Sequence, residues 1–259
     1  MDRLYFAHPS SSDQLKLTKL EQKIDGMAVG GRGSLDDPLP LVRLQNVNVG
    51  YDSVPVLQGV SMVINSGSLI GVAGPNGSGK TTLFRSILGL LPVLSGSLSR
   101  SCPLSSFGYV PQNAALDPEF PLSVGEVVEM GGYGRVRPYQ PFPAVEKKRV
   151  GDVLELVGLK HLKAKSFFAC SGGQKQRLLI ARALMVDPKI MILDEPLSGV
   201  DEESRRSITE LLIKLTRQNR LAILFSSHDL EMVQRVADQI VRVDHGKIWL
   251  EERKAGRQP

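Results

Sequence analysis

Apolar positions along the chain follow two rhythms. Val42-Arg43-Leu44-Gln45-Asn46-Val47-Asn48-Val49 alternates with a period of two, the pattern of a half-buried strand. Val54 to Leu57 and Val60 to Ile64 extend this β-rich opening as two further runs, with Tyr51 between the strands. Ser68-Leu69-Ile70-Gly71-Val72-Ala73 and Ile190-Met191-Ile192-Leu193 are unbroken apolar runs, as strands covered on both faces are. Helical spacing predicts helices over Thr82 to Leu88, near Val124 to Met130, and over Val145 to Val157. In the last of these Val150, Val153, Leu154 and Val157 face inward, and Glu146, Lys147, Lys148 and Arg149 face outward. Further helices are expected over Gln174 to Met185, over Glu202 to Arg217 and after Asp229. Short strands at Gly96 to Leu98, Ser106 to Gln112 and Leu221 to Phe225 complete the order, with a closing β-pair at Gln239 to Val243 and Lys247 to Leu250. Alternating strands and helices imply an α/β fold: a mainly parallel sheet covered on both faces, an antiparallel β subdomain and an inserted α-helical subdomain.

The N-terminal stretch follows neither rhythm. Ser10-Ser11-Ser12 and Gly30-Gly31-Arg32-Gly33-Ser34 are flexible in composition, and Asp37-Pro38-Leu39-Pro40 punctuates the end. Between them Leu15, Leu17, Leu20 and Ile24, flanked by Lys16, Lys19 and Lys23, have the spacing of a short amphipathic helix. A poorly ordered tail is the preferred reading over a docking or membrane-surface segment. The expected organisation is a flexible extension over residues 1–40, one folded domain over 41–250 with its helical subdomain at roughly 113–185, and a tail over 251–259.

Composition narrows the classes. At 259 residues and 42% hydrophobic the chain can bury a sizeable core. The net charge of +5 reads as surface bias; without a dense basic run or an aromatic-interleaved patch, no nucleic-acid partner is expected. Cys102 and Cys170 lack zinc or redox spacing, which suits a reducing compartment. His8, His161, His228 and His245 show no ligand spacing, so no transition-metal site is expected. No apolar run reaches about 18 residues and no secretory signal order is present, so a cytoplasmic location follows.

The chemistry concentrates in Gly74-Pro75-Asn76-Gly77-Ser78-Gly79-Lys80-Thr81-Thr82, which fits the phosphate-loop pattern G-x-x-x-x-G-K-[ST] between a strand and a helix. Its glycines let successive N–H groups converge on a phosphate, and the helix N-terminus adds free donors and partial positive charge. Lys80 supplies a point charge for the outer phosphates, and the Thr81 hydroxyl is a ligand for Mg²⁺. A second carboxylate-bearing element fits the same task. Asp194 ends an apolar strand, where open α/β sheets bind ligands, and can hold Mg²⁺ opposite Thr81. Glu195 points elsewhere and is placed to polarise a water towards the γ-phosphate.

Ser171-Gly172-Gly173-Gln174-Lys175-Gln176-Arg177, about twenty residues before Asp194, resembles the signature motif of ATP-binding cassette (ABC) ATPases, and the resemblance spans roughly Leu41 to Leu250. Tyr51, Gln112, Ser198-Gly199-Val200-Asp201 and His228 fall in the order of that family's A-loop, Q-loop, D-loop and switch histidine. The resemblance implies an ATPase of P-loop NTPase fold with ATP and Mg²⁺ as its ligands. By motif, Tyr51 stacks on adenine, residues 74–82 and Gln112 bind ATP, and Thr81, Gln112 and Asp194 serve Mg²⁺. Glu195 is then the catalytic base and His228 the γ-phosphate sensor. Ser171, Gly172, Gly173 and Gln174 face ATP held by a second copy in a head-to-tail dimer, and Asp201 couples the two sites.

Cys170 stands where the family usually has leucine; its smaller side chain leaves room for the signature helix to sit slightly differently, with activity expected to survive. Ser-Gly-Val-Asp in place of the commoner Ser-Ala-Leu-Asp is a tolerable change. A chain without membrane spans resembles the ATPase subunit of an importer, peripheral on the inner face of the membrane. Its implied partners are integral membrane permease subunits, near Gln112 and the helical subdomain, and indirectly a substrate-binding protein. The stretch from Phe120 to Arg135, with Phe120-Pro121-Leu122-Ser123-Val124 and Met130-Gly131-Gly132-Tyr133-Gly134, resembles the zinc- and manganese-uptake branch. Iron-chelate and haem importers share parts of that pattern, and a soluble ABC ATPase acting in assembly is the reading from another class.

Overall fold

A computed structural model describes residues 40–112, 121–137 and 139–252. The expectations for Leu15 to Ile24, for the rest of residues 1–39, for His8, for Phe120 and for the tail beyond residue 252 lie outside the described residues.

Strands β1 (Pro40–Tyr51) and β2 (Val54–Asn65) form an antiparallel hairpin, and β4 (Val93–Arg100) pairs with the other edge of β1. The two runs expected after Tyr51 are one strand rather than two. The register slips between the pairs Val47↔Val60 and Val49↔Leu57, around Gly59, whose φ is 64°. Asn48 Oδ1 accepts the Gly59 N–H at 2.8 Å, and Ser61 Oγ accepts the Asn46 N–H at 2.9 Å. The polar residues that break the apolar alternation thus hold a bulge, which bends the strand without ending it.

The second sheet runs β5 (Phe107–Val110), β6 (Ile190–Leu193), β7 (Ala222–Ser227), β3 (Leu69–Ala73), β8 (Gln239–Asp244) and β9 (Lys247–Glu252). All its neighbours are parallel except β8 and β9. Its central strands feed two apolar cores by alternation. Ile70, Val72, Ile190, Ile192, Ala222 and Leu224 join the hairpin's Leu44 and Leu57 and the helix α1 (Lys80–Ile87) through Leu83, Phe84 and Ile87. Leu69, Met191, Leu193, Ile223 and Phe225 point to the opposite core. An unbroken apolar run is what such a strand requires, because neither face meets water.

Helices α2 (Val124–Glu129), α3 (Ala144–Leu156) and α4 (Gly172–Leu184) lie between β5 and β6 in the chain, followed by α5 (Glu202–Asn219) and α6 (Leu230–Val236). Ser123 opens α2 with a capping box in which Glu126 Oε2 accepts the Ser123 N–H at 2.8 Å. Val127, Val128, Val150, Leu154 and Leu178 belong to the same apolar core as Ile223 and Phe225. The helical insertion therefore shares the core of the sheet instead of owning a separate one. One side-chain assignment is corrected. Glu146 is buried, with Oε1 3.4 Å from Arg135 Nε, and Arg149 turns to the Leu184 carbonyl and Asp187. Lys147 and Lys148 alone of that group face outward, because the 3₁₀ turn Met130–Arg135 brings Arg135 against α3.

A shared core has a measurable consequence. Leu154→Ala is expected to cost about 2–5 kcal/mol, the range for a buried leucine truncation. Urea unfolding of the variant should remain a single transition by every optical probe; a separate early transition of the helical insertion would contradict the shared core.

Candidate functional site

Four strands end on the same edge of the sheet, and each delivers one part of the site. β3 leads into the phosphate loop, β5 into Gln112, β6 into Asp194 and Glu195, and β7 into His228. This is the carboxyl edge at which parallel sheets present ligand sites. The loop is packed as tightly as its glycines suggest: a Cβ on Gly74 would stand 2.2 Å from the Val243 carbonyl oxygen. Gly79 turns the chain into α1 at φ 109°, and no side chain caps that helix. Its first N–H groups, which no intrahelical carbonyl can reach, are left for a ligand.

Lys80 is buried, and its Nζ donates to the carbonyls of Gly74 at 2.9 Å and Pro75 at 3.0 Å. The same ammonium lies 3.5 Å from Glu195 Oε1. Glu195 Oε2 is in turn 3.3 Å from His228 Nδ1. Asp194 turns the other way: its Oδ2 accepts from Thr81 Oγ1 at 2.6 Å, and its Oδ1 from Ser226 Oγ at 2.6 Å. Adjacent carboxylates therefore serve different partners, as a strand end and the positive φ of 50° at Glu195 dictate. Burial, and then the Asp194 charge, push the Tyr109 phenol above its ordinary value.

Asn76, Gly77, Lys80, Thr81, Gln112 and Asp194 line one cleft of about 510 Å³, and Glu195 borders it. Glu195 also lines a neighbouring hollow of about 110 Å³ with Ser226, His228 and Asp229. Gly79, Thr82 and Val56 complete the cleft's wall. Ser78 Oγ is buried without a hydrogen-bond partner among the described residues.

Other sequence-predicted residues lie outside this cleft. Tyr51 ends β1, 41% exposed, and its hydroxyl accepts from Arg85 at 3.2 Å. Ser171 and Gln174 form a capping box at the start of α4, with Gln174 Oε1 accepting the Ser171 N–H at 3.1 Å. Asp201 caps α5: its oxygens accept from the Ser204 N–H and from Ser204 Oγ, both at 2.8 Å. Those bonds hold its carboxyl below the usual range. Gly173 joins the two motifs, since a Cβ there would lie 2.0 Å from Ser204 Oγ. Cys170 is buried in the larger core, and its thiol reaches the Ser166 carbonyl at 3.6 Å while the signature helix keeps its complete cap.

Ser226 is the site residue that sequence reasoning quoted, in Ser226-Ser227-His228-Asp229, without a role. A signal was present: a hydroxyl at the end of a run that the sheet buries on both faces must find a partner. The residues that supply partners are 31 and 32 positions away in sequence, and only β-pairing brings them alongside.

A family model described as ABC transporter matches residues 57–198. The chain is 38% identical over 205 residues to the zinc import ATP-binding protein ZnuC of Marinobacter nauticus, covering 78% of this chain and 74% of that one. It is 38% identical over 212 residues to the manganese transport system ATP-binding protein MntB of Bacillus subtilis, covering 80% and 84%. Among solved structures, the ATP-binding cassette MJ0796, dimeric in a post-hydrolysis state with ADP and Pi, matches at a TM-score of 0.70 and 26% identity, covering 83% of this chain and 100% of that chain.

The contact of Gly173 with Ser204 predicts non-additive substitutions. Gly173→Ala should destabilise by about 1–3 kcal/mol through overpacking, despite the better helix propensity of alanine. In a urea double-mutant cycle with Ser204→Gly the losses should couple by about 1 kcal/mol or more. Simple additivity would count against the contact.

Proposed function

The chain belongs to the ABC transporter family and is an ATPase, and from that premise we propose that it powers a divalent-metal importer, for zinc or manganese. The observation that carries the reading is the convergence of Lys80, Thr81, Gln112, Asp194 and Glu195 on one cleft at the phosphate loop. The metal comes from the relatives, which are named for zinc import and manganese transport. Among the described residues no helix is long and apolar enough to cross a membrane. In this reading permease subunits supply the path, with this chain peripheral on the inner face. The transported ion itself then has no contact with this subunit. Exposed Met130, Tyr133 and Val145 on the helical insertion suit such a partner. The chain divides as an extension over residues 1–40, a cassette over 41–250 with its helical part near 113–185, and a tail; a substrate-binding protein delivers the ion from outside.

In this reading the phosphates of ATP meet the N–H groups from Asn76 to Thr82, with Gly74, Pro75, Gly77 and Gly79 shaping the loop. The unpartnered Ser78 hydroxyl gains an acceptor there. Lys80 leaves the loop carbonyls and Glu195 for a stronger anionic partner. Thr81, Gln112 and Asp194, which line the cleft, offer oxygen donors, a set that fits Mg²⁺. That ion, when bound, neutralises phosphate charge. Glu195 takes a proton from a water, whose oxygen attacks the γ-phosphorus as the bond to the β–γ bridging oxygen breaks, releasing ADP and phosphate. His228, with its imidazole 61% exposed and beside Glu195, contacts the γ-phosphate. Tyr51 stacks on adenine at the rim of the hairpin.

The signature residues Ser171, Gly172, Gly173 and Gln174 do not line their own chain's cleft. They meet ATP held by a second copy, closing a two-fold dimer in which Asp201 links the sites. Through Gly173 and Ser204, movement of the signature helix reaches Asp201 in the same chain.

Glu195→Gln should lower ATP turnover by at least about 10²-fold while ATP still binds and the dimer accumulates, read by phosphate release and by light scattering with ATP. Undiminished turnover would remove Glu195 from its role. Uptake by vesicles holding the assembled transporter should be saturable for Zn²⁺ or Mn²⁺ and abolished by Lys80→Ala. Uptake of an iron chelate or haem instead would redirect the substrate assignment, and persistent absence of a membrane partner would favour a soluble assembly ATPase.

A further inference from the structure

Asp194 and Glu195 are neighbours in the chain yet face different partners, and one buried side chain touches both residues. Ser226 is 1% exposed and is the next-to-last residue of β7. Its Oγ donates to Asp194 Oδ1 at 2.6 Å and accepts the backbone N–H of Glu195 at 2.7 Å. The register explains the meeting. Leu193 pairs with Phe225 at the last step of the β6–β7 ladder, so Asp194, just past β6, comes alongside Ser226 of β7.

The ladder stops where the site begins. Asp194 N–H still bonds to the Val110 carbonyl on β5 at 2.9 Å, but Glu195 enters the left-handed region at φ 50°. A non-glycine residue adopts that conformation only where its surroundings over-determine it. Here the Glu195 N–H is caught by a side chain, and the Glu195 carbonyl accepts from Ser198 N–H at 3.2 Å. The turn aims the Glu195 carboxylate between Lys80 and His228. On its other side Ser226 holds one Asp194 oxygen, which leaves the second facing Thr81.

We propose that Ser226 is a positioning residue for hydrolysis: its hydroxyl locks the strand-end turn that separates the Asp194 and Glu195 carboxylates and aims Glu195 at the attacking water. The proposal rests on the reading of Glu195 as the catalytic base. Ser226 touches no substrate in this account and acts through the two acidic residues. A misplacement of the base by about 1 Å is enough to cost on the order of 10²-fold in rate.

The test compares Ser226→Ala, Ser226→Thr and Glu195→Gln in the full chain. Its readouts are steady-state ATP turnover, equilibrium ATP affinity from a fluorescent ATP analogue, and the thermal unfolding midpoint. Ser226→Ala is expected to lower kcat about 10- to 100-fold while KM and the measured affinity stay within about threefold. Ser226→Thr, which keeps a hydroxyl, is expected to recover most of that kcat. Turnover by Ser226→Ala within twofold of the native chain would overturn the proposal. So would losses of affinity and unfolding midpoint that track the loss of turnover in both variants, the pattern of a merely structural hydroxyl. If Glu195→Gln keeps its turnover, the assignment of the base fails, and that result is read independently of Ser226.

Discussion

The site depends on one buried carboxylate. Asp194 is 2% exposed, and an ionised carboxylate there is tolerable only with donors on both oxygens. Thr81 supplies one from the phosphate loop and Ser226 the other from β7, each at 2.6 Å. That pair of bonds ties three strand ends together, because Thr81 follows β3, Asp194 follows β6 and Ser226 is the next-to-last residue of β7. Glu195 inherits its place from the same arrangement, since its N–H is fixed by the hydroxyl that fixes Asp194.

A sheet buried on both faces makes that arrangement rigid. Its strands are short, four to six residues across β3, β5, β6, β7 and β8, and they are held by apolar cores on either side rather than by length. The helical insertion adds Val150, Leu154 and Leu178 to one of those cores. The same packing that stabilises the insertion thus couples it to the strands that carry Asp194 and His228. Lys80 shows the complementary property. It is held by two loop carbonyls and by Glu195, an arrangement that phosphate oxygens can replace without repacking the core.

Much of this was legible in the chain. The phosphate loop and the strand ending in Asp194 and Glu195 are local patterns whose spacing follows from the chemistry, whereas the histidine after Ser227 stood out only through the family resemblance. The fold class read equally well, because doubly buried strands and amphipathic helices have different apolar periods. Three features read poorly. The break in the hairpin looked like two strands because Gly59 interrupts the alternation, whereas Asn48 spans the bulge through a side-chain bond. Glu146 looked like surface because its own helix face is charged, while Arg135 buries it from another segment. Ser226 looked like part of a motif with no task of its own.

The sequence by itself therefore determined which chemical groups are present and the order in which strands deliver them. Tertiary structure decided their partners. Whether Asp194 faces Thr81 or Lys80, whether Glu195 meets His228, and whether Gly173 rests on Ser204 depend on sheet order and register, which no local pattern encodes. The physical reason is range. Periodicity and turn chemistry act over a few residues, whereas the burial of a charge is resolved by whichever donors the folded sheet brings within hydrogen-bond distance, here 113 and 32 residues away along the chain.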